Sequence, residues 1–195
     1  MILGACQSMP PSQEIEPSPE PVEQPVVEAE VIALVVDPDQ QSYQTALSIL
    51  KQGEIIEAIQ QLGPLSLKSP DLEYIFTNLG LAYFAQKEYD KAQQAFQQAI
   101  RQDERDAVAY NHIGVIYRIQ GKFEDANQAY QSAIKNNSKY AQAHLNLGIL
   151  YDIYLQDLKL AVEQYQKYQA LTNDEDKSVA NWIIDIERRL KAGQS

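Results

Sequence analysis

Cysteine occurs once in this 195-residue chain, as Cys6, so no disulfide can close within one copy of it. Long apolar runs are missing too. The longest, Val31 to Val36, falls far short of the roughly 18 residues of a membrane-spanning helix, so any attachment to a membrane must be covalent. Histidine is scarce: His112 and His144 stand 32 residues apart, and neither has a cysteine or carboxylate at metal-ligand spacing. There is no glycine-rich phosphate loop and no Gly-x-Ser-x-Gly elbow. Carboxylate groups such as Glu124-Asp125 and Asp174-Glu175-Asp176 are expected in solvated turns. The sequence therefore offers no catalytic residue, no metal ligand set and no cofactor site, and it points away from an enzyme.

Positive charge is also in short supply, with 16 Lys and Arg against 27 Asp and Glu. Seven of the acids (Glu14, Glu16, Glu20, Glu23, Glu28, Glu30 and Asp37) lie in the first 37 positions, which hold no basic residue; the rest of the chain keeps −4 of the net −11. An acidic tail on a mildly acidic body argues against nucleic acid, which is bound by a basic face that releases counterions from phosphates. It argues equally against electrostatic docking on anionic lipid. Apolar residues, at 45%, suffice for a substantial core.

Two stretches then speak for themselves. Pro10, Pro11, Pro17, Pro19, Pro21 and Pro25 alternate with Ser, Gln and Glu, a composition that cannot repay the cost of chain ordering and predicts a tether over 7–36. Ahead of it, Leu3-Gly4-Ala5-Cys6 resembles the lipobox of bacterial lipoproteins, and residues 1–6 read as the remnant of such a signal. The resemblance implies diacylglycerol on Cys6, cleavage before it and acylation of the new amino terminus; several acyl chains anchor stably where one does not. A full secretory signal carries a basic segment and roughly 7–15 apolar residues, whereas Met1-Ile2-Leu3 alone stand here. The alternative is a cytoplasmic chain with a proline-rich tail. Gln7, where some lipoproteins carry a retention aspartate, favours the outer membrane if the resemblance holds.

Beyond the tether the chain repeats. Phe76-Thr77-Asn78-Leu79-Gly80-Leu81-Ala82-Tyr83 aligns with Tyr110-Asn111-His112-Ile113-Gly114-Val115-Ile116-Tyr117 and with His144-Leu145-Asn146-Leu147-Gly148-Ile149-Leu150-Tyr151, placing the glycines 34 residues apart. Downstream, Ala92, Phe96 and Ala99 recur as Ala126, Tyr130 and Ala133, and one residue late as Ala161, Tyr165 and Tyr168. Self-similarity at this period is the mark of a helical array, and the pattern resembles the tetratricopeptide repeat closely. The resemblance implies an all-α fold, a right-handed α-solenoid of about four helical hairpins plus a C-terminal capping helix. The units are 37–72 (divergent, with Ala46 and Ala58 in the small positions, Gly53 at its turn and Asp37-Pro38 at its start), 73–106, 107–140, 141–175 with one inserted residue, and the cap 176–192. The glycines should lie where the two helices of a hairpin cross closely, and Tyr151 to Asp157 should lengthen a turn. Trp182 is expected to seal the end of the array, with Val179, Ile183, Ile186 and Leu190 beside it.

In such arrays the first helices line a concave surface, which can be read by stepping through the repeat. One series is Gln44, Asn78, His112 and Asn146, all polar and able to donate and accept hydrogen bonds. It is similar to the asparagine ladders of the family, which grip the backbone of an extended peptide. A second, Leu47, Leu81, Val115 and Ile149, is apolar. A third is Leu50, Phe84, Arg118 and Asp152, read as an apolar edge ending in an Arg/Asp pair. His112 is a candidate pH-sensitive contact, and His144 a packing residue. The clamp that holds chaperone tails needs Lys and Arg where this chain has Thr77, Asn111, Gln142 and Asn146, so that ligand is not expected. The function these readings imply is a non-enzymatic scaffold for a protein or peptide partner. It is either lipid-anchored in a bacterial envelope, facing the periplasm like the pilotins and assembly factors it resembles, or a soluble adaptor or regulatory subunit. Oligomeric state is not legible.

Overall fold

The repeat resolves into helices joined by short turns. In a computed structural model, which describes residues 37–173 and 175–192, the helices are α1 Pro38–Gln52, α2 Ile55–Lys68, α3 Ile75–Ala85, α4 Tyr89–Gln102, α5 Ala107–Ile119, α6 Phe123–Asn136, α7 Ala141–Ile149, α8 Leu158–Leu171 and α9 Lys177–Ala192. No strand occurs among the described residues. Cys6, the lipobox and the 7–36 tether lie outside them, as does Asp174.

The local reasons are ordinary ones. Asp37 accepts the Asp39 amide at 3.0 Å and precedes Pro38, which suits the first helical turn. Asp106 and Asp157 cap α5 and α8 through the amides of Ala109 (2.8 Å) and Leu160 (3.1 Å). Gly53 and Gly121 take up left-handed φ values of +86° and +76° to close the turns α1–α2 and α5–α6. Glu124 and Asp125, expected in a turn, instead form the first turn of α6, where the helix dipole favours carboxylates. Gly63-Pro64, a pair that commonly ends a helix, lies inside α2. Proline clashes with the Cβ of the residue before it, and Gly63 has none.

Successive helices pair as hairpins, α1 with α2, α3 with α4, α5 with α6 and α7 with α8. The first helices α1, α3, α5 and α7 also pack side by side, forming an inner layer, while the second helices lie outside it against the first helices that flank them. At every crossing of the three regular hairpins an aromatic ring from the second helix sits flat against a glycine of the first. A Cβ on Gly80 would stand 2.7 Å from Phe96, and on Gly114 or Gly148 it would stand 2.6 Å from Tyr130 or Tyr165. Those rings are 0%, 0% and 1% exposed, each contributing roughly 2 kcal/mol of hydrophobic stabilisation. The close approach expected at the glycines is therefore helix to ring. Hairpin α1–α2 uses another solution: Ala46 stands in the glycine position and Leu62 in the ring position, both fully buried.

The inserted residue does not lengthen the turn. The end of α7 unwinds into a π-helical turn, Leu150–Leu155, after which Gln156 alone adopts a left-handed φ of +55° before Asp157 caps α8. A one-residue insertion inside a helix is most simply absorbed in this way, and it leaves Gly148 and Tyr165 in register. The cap α9 packs on α8, with Val179 and Ile186 each 1% exposed. Trp182 is not the seal: it is 42% exposed and touches the array through the Tyr165 ring at 5.6 Å.

Gly114→Ala should lower stability by roughly 1–3 kcal/mol and Gly114→Leu by more, because the Tyr130 ring must be displaced. Urea denaturation of the two variants checks this, and undiminished stability in both would refute the ring-on-glycine seat.

Candidate peptide-binding groove

The inner layer presents α1, α3, α5 and α7 side by side, so side chains one repeat apart become neighbours. The polar series lands there, but much of it is turned to internal use. Gln44 is exposed. Asn78 is half-buried and donates to the Tyr43 hydroxyl at 2.6 Å and the Tyr74 carbonyl at 3.0 Å. The Tyr43 hydroxyl in turn donates to the Glu73 carbonyl at 2.8 Å. Asn146 and Asn111 are both buried, and the Asn146 amide donates to Asn111 Oδ1 at 2.9 Å. The Asn78–Tyr43 and Asn146–Asn111 bonds join residues 35 apart and so stitch one first helix to the next. Thr77, another groove position, is buried and donates to the Asp106 carboxylate that caps α5.

His112 is not a polar rung either. Its ring lies between Phe96, stacked at 5.3 Å and 14°, and Phe84, edge-on at 5.1 Å, and its Nδ1 is buried with no hydrogen-bond partner among the described residues. Burial holds its pKa down to about 4, with the Asp106 charge acting weakly in the opposite direction. His144 packs as expected: it is buried and joins Gln164 Oε1 (2.9 Å) to the Ser138 carbonyl (3.2 Å).

The apolar series forms the floor of the groove. Leu47, Leu81, Val115 and Ile149 are all half-buried, each packed on the core beneath it and keeping a face outward. Leu50 and Phe84 extend it along one side. The expected Arg/Asp pair is absent from the ion pairs of the described residues. Asp152 turns towards the cap, 3.6 Å from Arg189, and accepts from the Tyr165 hydroxyl at 3.5 Å. Arg118 lies over the Tyr154 ring (5.8 Å to its centre) and reaches the hydroxyls of Tyr130 (3.4 Å) and Tyr154 (3.5 Å). Repeat stepping missed the strongly exposed Ile119 and Ile153, 49% and 61%, which stand one residue beyond the third series. It also missed Tyr154 and Leu155, whose placement depends on the π turn; the late Ala161 was the available signal.

No group of three His, Cys, Asp or Glu side chains among the described residues could hold a metal ion, and no described helix is long and apolar enough to cross a membrane.

Two models described as tetratricopeptide repeat match the sequence, over residues 71–139 and 117–176. No curated protein matches it. Among solved structures, one described as the functional characterization of Pseudomonas aeruginosa pilF is similar, with TM-score 0.68 and 22% identity over 79% of this chain and 69% of that one. A MamA structure from Desulfovibrio magneticus RS-1 gives 0.61 and 21%, over 71% and 78%. The first such domain of Spaghetti (RPAP3), bound to the HSP90 peptide SRMEEVD, gives 0.56 and 23%, over 61% and 93%. These likenesses establish the fold.

Because the folded-state pKa of His112 lies below its ordinary value of 6.5, the folded form favours the neutral ring. Its contribution is therefore present above about pH 6.5 and lost as pH falls towards 4, up to about 3 kcal/mol. Urea midpoints of the wild type should fall more steeply between pH 7 and pH 4.5 than those of His112→Phe. Parallel profiles would show that the ring is not desolvated.

Proposed function

Because the chain belongs to the tetratricopeptide repeat family, whose arrays act as protein–protein interaction scaffolds, we propose that it captures an extended segment of a partner protein in its inner groove. The observation that carries this reading is the apolar series Leu47, Leu81, Val115 and Ile149, one half-buried side chain from each of four neighbouring helices. The exposed Gln44 at one flank gives the segment's backbone a place to hydrogen-bond. The RPAP3 domain was solved with an acidic HSP90 peptide, but this chain has Thr77, Asn111, Gln142 and Asn146 in place of clamp cations. Two of these already hold each other, so a chaperone tail is not the proposed ligand.

We further propose that the scaffold is held at a bacterial envelope membrane by lipid on Cys6, with 7–36 as the tether, and that it positions components of an envelope assembly. Leu3-Gly4-Ala5-Cys6 and the proline-rich stretch behind it support this reading. A soluble adaptor using the same groove is the alternative.

Photo-crosslinking groups placed at Val115 or Leu81 should trap a partner in cells, whereas the same group at Gln97, exposed on the outer helix α4, should not. Equal trapping from Gln97, or none from the groove, would count against the groove. For the anchor, a fatty-acid probe should label the wild type and not Cys6→Ser. Absence of label in both would leave the soluble adaptor.

A further inference from the structure

The side of the groove where the first helices end differs from its floor. Arg118 is half-buried there, yet none of the ion pairs among the described residues includes it. Its hydrogen-bond partners are two phenol hydroxyls at 3.4 and 3.5 Å, beyond the usual range, so its donors are nearly unspent. The Tyr154 ring beneath it, itself packed on Phe123 at 4.7 Å, holds the guanidinium in place without neutralising it. A partly desolvated cation so placed is completed by a carboxylate, which a guanidinium grips with two parallel hydrogen bonds. Ile119 follows Arg118 in the chain, and Ile153 and Leu155 flank Tyr154; they are 49%, 61% and 38% exposed. Single exposed aliphatics are unremarkable, but three that directly adjoin an unpaired cation and the ring it lies on in sequence mark a contact surface. The inserted residue builds this lip, since Ile153, Tyr154 and Leu155 belong to the π turn it creates.

We infer that this lip, formed by the end of α5 and the π turn, binds a linear segment of a partner protein in which an Asp or Glu side chain adjoins a bulky aliphatic one. Arg118 takes the carboxylate and Ile119, Ile153 and Leu155 take the aliphatic group. The inference rests on the scaffold reading above and specifies the partner's chemistry at one end of the groove. A second copy of this chain is a poorer occupant. A two-fold contact through the lip sets like patches together, so the Arg118 side chains of the two copies would share one apolar surface, while the carboxylate of the π turn, Asp152, is turned to Arg189 of the cap.

Selection of a phage-displayed random linear peptide library on the full chain, followed by fluorescence anisotropy with the selected peptides, tests it. Selected peptides are expected to carry Asp or Glu next to Leu, Ile or Phe. Arg118→Gln should weaken them about tenfold, as should the amide version of the peptide's acid. The two changes combined should be no worse than either alone, and Arg118→Lys should restore part of the loss. Ile153→Asp, at an exposed site that leaves the fold intact, should abolish binding whether or not Arg118→Gln folds. Peptides that bind without an acid, or that bind Arg118→Gln and Ile153→Asp unchanged, would overturn the lip while sparing the groove. Failure of the chain to select any peptide would overturn both readings. Binding lost in proportion as the chain self-associates would assign the lip to a second copy and overturn the proposal.

Discussion

The three regular hairpins of this array depend on an aromatic ring lying against a bare backbone. Phe96, Tyr130 and Tyr165 fill the space left by the missing Cβ atoms of Gly80, Gly114 and Gly148, which fixes how closely and at what height the two helices of a hairpin meet. That distance sets the spacing of the inner helices, and the spacing sets which side chains become neighbours in the groove. Because the seat repeats, each hairpin offers the next nearly the same surface, and the stack grows by nearest-neighbour contacts.

The same constraint explains where the chain tolerates irregularity. An extra residue ahead of α8 would displace Tyr165 from Gly148 if it were spread along the helix. Concentrated in a π turn after the glycine, it leaves the seat untouched and pushes Ile153, Tyr154 and Leu155 outward. The hydrogen bonds between repeats work the other way. By joining Asn78 to Tyr43 and Asn146 to Asn111 they hold adjacent first helices together, at the cost of polar groups that would otherwise face a ligand.

The hairpins and the glycine positions were legible because each is dictated by a short local pattern recurring at fixed spacing, whereas the turn at Tyr151 to Asp157 was misread. Even the first hairpin could be located, since Ala46 and Ala58 keep the small positions although the glycine is gone. The groove was less legible. Stepping by 34 correctly brings Leu47, Leu81, Val115 and Ile149 together, because their direction follows from helix phase alone. It cannot say whether Asn146 reaches solvent or Asn111, nor that Phe84 and Phe96 enclose His112, because those outcomes depend on partners from other helices. The Arg118–Asp152 pairing failed for a related reason. Each found a partner outside its series, Tyr154 from the π turn and Arg189 from the cap.

The first hairpin shows what it takes to depart from the rule. Ala46 carries the Cβ that the other three seats forbid, and it fits because Leu62 has no ring to meet it. Such a pair can be reached from glycine and phenylalanine by two routes that are far from equivalent. Adding the methyl first drives it into the ring, whereas shrinking the ring first leaves a gap that the methyl then partly fills. The two residues of a seat are therefore coupled, and the less costly order changes the second helix before the first.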